Sequence, residues 1–121
     1  LKIKLNELYN SKVALESLFA SKLKISLSFR LTPLLHKIRD KFDEVEKFRQ
    51  TLVKDYGVEV EDKPGQFTFS EENVKIYNQE ILELMSEEVE VEVPDVSISD
   101  FGESFEISAD DLVILKWLIK D

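Results

Sequence analysis

His36 and Asp40 stand four residues apart, the spacing at which two side chains share one helix face. An imidazole oriented by a carboxylate can act as a general base. Serving a nucleophile in that way needs a serine on a strained turn with oxyanion donors, and the chain has no G-x-S-x-G motif. The one histidine is therefore read as a surface or rim residue. The second set of reactive groups is acidic: Glu80, Glu83, Glu87 and Glu88 in one stretch, then Asp95, Asp100, Asp110 and Asp111. Hard cations take carboxylate oxygens, but there is no D-x-D-x-D-G loop and no Glu-x-x-His pair of the diiron type. Solvated charge and helix capping account for these residues better than metal binding, with a chance Ca²⁺ or Mg²⁺ site as the alternative. A glycosidase needs two carboxylates across a cleft, a requirement any acidic chain meets on paper. Gly57, Gly65 and Gly102 are too sparse for a phosphate-cradling loop, and the absence of cysteine removes disulfides, thiolate metal sites and thiol nucleophiles. The expectation is a chain with no catalytic residues, no cofactor site and no metal site, and thus not an enzyme.

The elements that would carry these residues are legible from periodicity. Leu1-Lys2-Ile3-Lys4-Leu5 and Val89-Glu90-Val91-Glu92-Val93 both alternate apolar and charged residues, one with lysine and one with glutamate. Alternation with period two puts one strand face on a core and the other in water. Opposite charges facing each other across a strand pair are favourable, so Lys2 and Lys4 are expected opposite Glu90 and Glu92. Asn6 is placed to cap a first helix over 6–21, with Leu5, Leu8, Leu15, Leu18 and Phe19 at helical spacing. Residues 22–32 admit three readings: a strand from the alternation of Leu23, Ile25, Leu27 and Phe29; a helix opening at Thr32-Pro33; or a helix from near Ser26 with a kink at Pro33.

The clearest helix follows. Leu31, Leu35, Ile38, Phe42, Val45, Leu52 and Tyr56 form a seam interrupted by Arg49, with Arg39–Asp43 and Asp43–Lys47 as exposed charge pairs and Gly57 as terminator. From Pro33 to Tyr56 it is about 36 Å long. Val58-Glu59-Val60 and Phe67-Thr68-Phe69 flank Asp62-Lys63-Pro64-Gly65, where Pro-Gly favours a type II turn, and a small hairpin or an ordered loop is expected. Ser70 caps a third helix running to about Glu87, with Val74, Tyr77, Ile81, Leu84 and Met85 as its stripe and Phe69 and Val74 as a hydrophobic staple. The short connection makes it antiparallel to the 33–56 helix. Pro94 stops the Val89–Val93 strand, Val96 and Ile98 continue it briefly, and Asp100–Glu103 reads as a loop. Ser108 caps a last helix that is apolar nearly all round (Leu112–Leu115, Trp117–Ile119), with Ile107 and Leu112 as a second staple. The fold class expected is α+β, mostly α: one domain over 1–121, a long antiparallel helical hairpin, two shorter helices and a small sheet.

Charge bounds the partners. The net charge is −9, and it is unevenly spread: residues 1–57 hold 12 basic and 7 acidic residues for +5, and residues 58–121 hold 4 and 18 for −14. A phosphate-binding surface needs a concentrated basic face, so direct nucleic-acid binding is not expected. No apolar run approaches a membrane span, and no positively charged start leads into an apolar stretch, so neither a membrane anchor nor a secretory signal is expected. The acidic half either neutralises the basic half or faces a basic partner. Phe101, Phe105 and Trp117 are candidate partner-binding aromatics beside Glu83, Glu87 and Glu88, with core packing as the alternative for the three rings. The 33–56 seam either packs on the chain's own 70–87 helix or mediates self-association as a coiled coil.

The order of features resembles a known group. A short helix ends in Ser21-Lys22-Leu23-Lys24-Ile25, and Ser28-Phe29-Arg30-Leu31 runs into the long helix, which closes with Arg49-Gln50-Thr51-Leu52-Val53-Lys54-Asp55-Tyr56-Gly57. An acidic helix leads into Glu87-Glu88-Val89-Glu90-Val91, and Val96-Ser97-Ile98-Ser99-Asp100-Phe101 precedes Ile107-Ser108-Ala109-Asp110-Asp111-Leu112. This is similar to a family of small proteins of tailed bacteriophages and prophages with no assigned function. Where that family usually carries proline, this chain has Lys24. The resemblance spans nearly the whole chain, rests on structural motifs, implies a phage or prophage origin without a known enzymatic activity, and transfers no functional residue. Together with the missing catalytic chemistry it leads to the expectation of a non-catalytic interaction or assembly protein, located in the host cytoplasm or the virion, with a phage or host protein or a second copy as partner. The alternative is an acidic inhibitor that occupies the basic groove of a host defence or nucleic-acid enzyme.

Overall fold

The structure, a computed structural model, describes residues 1–121. In chain order the elements are β1 (Lys2–Lys4), α1 (Leu5–Asn10), α2 (Lys12–Ala20), α3 (Ile25–Tyr56), β2 (Val58–Glu59), β3 (Phe67–Thr68), α4 (Glu71–Met85), β4 (Glu88–Glu90), β5 (Val96–Ser97), a 3₁₀ turn (Ile98–Phe101), α5 (Ala109–Ile114) and β6 (Ile119–Lys120). The fold is α+β and mostly α, and no helix is long and apolar enough to cross a membrane.

Of residues 22–32, the stretch from Ile25 onward is helix, the reading with a helix starting near Ser26, and residues 22–24 belong to no element. A strand would have buried Leu23, Ile25, Leu27 and Phe29 on one face, but Leu27 is fully buried while Ile25 and Phe29 are 90% and 79% exposed. Leu27, Leu31, Leu34, Ile38, Phe42 and Val45 form the buried stripe of α3, at steps of three and four. Pro33 sits inside the helix on its exposed side. Its missing N–H leaves the Phe29 carbonyl without an intrahelical donor on a face open to water.

The expected 6–21 helix is two helices, and Asn6 is not its cap. Lys4 occupies the cap position without a side-chain bond, and the Leu5 N–H donates to the Glu87 carbonyl at 2.9 Å, so the strand ladder carries straight into α1. The break falls at Ser11, the one buried polar residue. Its hydroxyl donates to the Glu7 carbonyl at 3.1 Å and accepts from Trp117 Nε1 at 3.2 Å. A serine bonding back one turn bends a helix, and here the bend is tied to the far end of the chain.

The strands form three two-stranded sheets. β1 pairs antiparallel with β4 in the register Lys2↔Glu90, Ile3↔Val89, Lys4↔Glu88. The basic strand does lie against the acidic one, but Lys4 faces Glu88 where Glu92 was expected, because in an antiparallel pair with Lys2 on Glu90 each step forward along β1 is a step back along β4. β2 and β3 form the expected hairpin, with Gln66 N–H donating to the Lys63 carbonyl at 3.1 Å across Pro64-Gly65. Gly65 has φ +85°, as the third position of a type II turn requires. β5 pairs parallel with β6, so the terminal segment is not one apolar helix. α5 stops at Ile114 because Leu115, Leu118 and Ile119 are drawn into the core, and Val96 takes Ile119 as a strand partner.

α4 runs antiparallel to α3: Asn73 Nδ2 donates to the Tyr56 carbonyl at 3.0 Å at one end, and Leu84 lies with Val45 and Phe48 at the other. Of the expected stripe, Tyr77, Ile81, Leu84 and Met85 face inward, while Val74 stands at the edge with Asn73 in its place, and Phe69 packs on Tyr77 (ring centroids 5.1 Å) instead of stapling to Val74. α4 ends at Met85. The expected pairs Arg39–Asp43 and Asp43–Lys47 give way to Arg39–Glu16 at 3.4 Å and Lys41–Glu44 at 2.9 Å. Gly57 ends α3 with ordinary extended angles (φ −92°, ψ 161°), so its role is space: a Cβ there would lie 2.6 Å from the Val53 carbonyl oxygen and 3.2 Å from the Phe67 Cβ.

All 19 residues of the buried apolar cluster lie outside residues 46–88. That stretch, about a third of the chain, is a two-helix arm with a hairpin at its tip, standing out from a core built by α1, α2, the first part of α3, β1, β4 and the C-terminal segment. Two consequences are measurable by urea unfolding. Leu15→Ala in the core is expected to cost about 2–5 kcal/mol, and Ile81→Ala in the arm about 1 kcal/mol. Gly57→Ala is expected to cost about 1–3 kcal/mol despite its permitted angles, because the added methyl has no room.

Candidate functional site

The residues with catalytic potential do not assemble. His36 and Asp40 are both exposed on α3 and make no hydrogen bond to each other. No three of the His, Asp and Glu side chains converge in a metal-binding arrangement. Several acidic residues have local structural tasks instead. Asp100 accepts from the Ser97 backbone N–H at 2.9 Å and lies 3.2 Å from the Ser97 hydroxyl, closing a capping box on the 3₁₀ turn, with Arg30 3.6 Å away. Asp110 and Asp111 fill the first turn of α5, where Ser108 Oγ accepts from the Asp111 N–H.

The aromatic residues expected to bind a partner are packed into the fold. Phe101 is buried and stacks on Phe105 with centroids 4.6 Å apart, and Trp117 is half-buried with its indole N–H on Ser11. Core packing, the alternative for these rings, is what the geometry supports. Glu83, Glu87 and Glu88 are all exposed, at the root of the arm.

The arm has two unlike sides. On one, a groove of about 180 Å³ opens between α3 and α4, walled by Leu5, Val45, Phe48, Leu84 and Val89 and rimmed by Lys41, Glu44, Glu87 and Glu88. Phe48 is 57% exposed at its mouth. Glu80 and Glu83, three residues apart, share one face of α4 and continue the acidic rim back along the helix from Glu87, which follows its C-terminal end. The Lys41 ammonium beside Glu44 holds that carboxyl below the usual carboxylate range. Sequence reasoning missed Phe48, although its place three residues after Val45 and four before Leu52 put it at the seam's edge.

On the other side, a cleft of about 460 Å³ lies between Arg49, Gln50, Val53 and Lys54 of α3 and Gly65, Phe67 and Phe69 of the hairpin. Arg49 Nε donates to Glu46 at 2.9 Å. That bond raises the guanidinium pKa and lowers the Glu46 carboxyl. Outside this cleft, against Phe42, burial raises the pKa of the Tyr9 phenol, whose hydroxyl donates to the Phe42 carbonyl at 3.3 Å. Hydrocarbon under a charged rim, on either side, is suited to hold a side chain or a small molecule and to select it by charge.

Comparison of the chain with protein-family models, with curated proteins and with solved structures finds no match.

The capping box gives a pH prediction. Asp100 is depressed below its ordinary pKa first by the Ser97 backbone bond and then by Arg30. A carboxyl with a lowered folded pKa contributes stability above its unfolded pKa, about 4, and loses it as pH falls through the folded value. Thermal unfolding of Asp100→Asn should therefore give a lower Tm than the parent at neutral pH, with the difference vanishing in strong acid.

Proposed function

We propose that this chain is a non-catalytic interaction protein of phage or prophage origin, working by protein–protein contact through its arm, in the host cytoplasm or the virion. The observation that carries the reading is the arm itself. Residues 46–88 contribute no buried side chain, yet they present Phe48, Val58 and Leu82 at 57%, 66% and 62% exposure. Two helices can cover each other along one seam only, so these side chains stay open to contact on the arm, as Val13, Ile25 and Phe29 do elsewhere on the surface. The origin rests on the resemblance of the motif order to small tailed-phage proteins. A second reading, an inhibitor seated in a basic groove of a host enzyme, is supported by the acidic rim Glu80, Glu83, Glu87 and Glu88.

Affinity capture from infected cells together with light scattering tests the first reading. A phage or host protein recovered with the chain, or a defined oligomer, is the expected outcome; a strictly monomeric chain with no partner overturns it. The second reading predicts inhibition that weakens steeply with salt and is lost when Glu83, Glu87 and Glu88 are reversed to lysine.

A further inference from the structure

The groove at the root of the arm differs from the other exposed apolar positions in having a floor. Val45, Val89 and Leu5 are core residues, so the groove opens directly onto the buried cluster. Its volume of about 180 Å³ suits one large aliphatic or aromatic side chain. Leu84 closes one wall and Phe48 stands half-clear at the mouth, able to close over an inserted group.

The rim decides what can enter. Glu44, Glu87 and Glu88 surround the opening, and Glu83 and Glu80 continue away from it along one face of α4. Lys41, the cation lining the groove, is held by Glu44 at 2.9 Å, and Lys4 lies opposite Glu88 across the strand pair. Nucleic-acid phosphates and anionic lipid headgroups are repelled by such a rim. So is the same face of a second copy, which would bring two sets of glutamates together. Glu80 and Glu83 stand about 4.5 Å apart along the axis of α4, and Glu87 and Glu88 follow beyond its end at Met85. A partner helix lying along the groove could match that span with basic residues one and two turns from its apolar anchor.

We infer that this groove is a docking site for a basic amphipathic helical segment of another protein, with one large apolar side chain between Val45, Phe48, Leu84 and Val89 and its Lys or Arg residues along Glu83, Glu87 and Glu88. The inference rests on the reading of the chain as a contact protein and names the class of partner for one face of the arm.

The test uses the full chain, a short synthetic amphipathic Leu/Lys peptide as probe and its Leu/Glu counterpart as control. Amide chemical-shift mapping should place the Leu/Lys probe on Val45, Phe48, Leu84, Glu83 and Glu87, with Kd rising steeply as salt is added. Phe48→Ala should weaken binding about tenfold and Phe48→Leu should restore most of it. Reversing Glu83 and Glu87 to lysine should weaken binding at least as much and flatten the salt dependence. Thermal unfolding confirms that each variant remains folded, as the exposure of these side chains predicts. Shifts spread over the whole acidic surface with no response to Phe48 would reduce the binding to unspecific charge attraction and overturn the proposal. So would equal binding of the Leu/Glu control, shifts centred on the Arg49–Lys54 cleft, or a concentration-dependent dimer that buries the groove. If the probe misses the groove while a captured partner protects another face of the arm, the docking site fails and the contact reading stands. If no partner is captured and the chain is strictly monomeric, it is the contact reading that fails.

Discussion

Leu27, Leu31, Leu34, Ile38, Phe42 and Val45 run as one stripe down α3, and the rest of the fold is arranged by where that stripe stops. Full burial of a helical side chain requires cover from more than one neighbour. Along the first part of α3 that cover comes from α1 and α2, from β1 with β4, and from the C-terminal segment carrying Leu115, Leu118 and Ile119. Beyond Val45 the apolar cover comes from α4 and the small hairpin. The seam continues through Leu52 and Tyr56, but those residues are only half-buried. One helix thus serves as the spine of a packed core and as one rail of an exposed arm, and the transition falls at the acidic groove.

The core is closed by the ends of the chain. Trp117 reaches across to Ser11, Val96 pairs with Ile119, and β1 lies on β4. These contacts are distant in sequence, so they cost loop-closure entropy that the buried apolar cluster must offset. The Ser11 contact shows how tightly the two ends are joined: a hydroxyl at the bend between α1 and α2 serves at once as donor to its own helix and acceptor for the indole. No buried side-chain polar atom is left without a partner.

Charge is partitioned on the same plan. The acidic strand residues Glu88 and Glu90 face Lys4 and Lys2, and Glu46 and Glu44 are matched by Arg49 and Lys41. These exposed pairs add little stability each and chiefly set register and solubility. The unmatched glutamates of α4 remain as a negative ridge on one side of the arm, opposite the side that carries Arg49 and Lys54. The two sides of a single pair of helices therefore differ in the sign of the charge they carry.

Much of this was written in local pattern. The α4 cap at Ser70, the type II turn at Pro64-Gly65, the Ser108 cap and the pairing of a lysine strand with a glutamate strand all follow from side-chain chemistry acting within a few residues or from period-two alternation. Other features depended on distant partners. Strand and helix readings of 22–32 were separated only by which of Leu27 and Phe29 found a core. The break at Ser11 needed Trp117, and the terminal segment abandoned its helix once Val96 offered a strand edge to Ile119. Gly57 looked like a helix terminator by conformation and proved to be one by crowding against Phe67, a residue brought there by the hairpin. The groove was not legible because Leu5, Phe48, Leu84 and Val89 lie on four elements. By itself the sequence determined the α+β composition, the caps, the turn and the sign of each charged face, since these depend on residue type and short-range spacing. Only the tertiary structure decided where the core ends and where an apolar floor meets a carboxylate rim, because burial is set by what the rest of the chain places overhead.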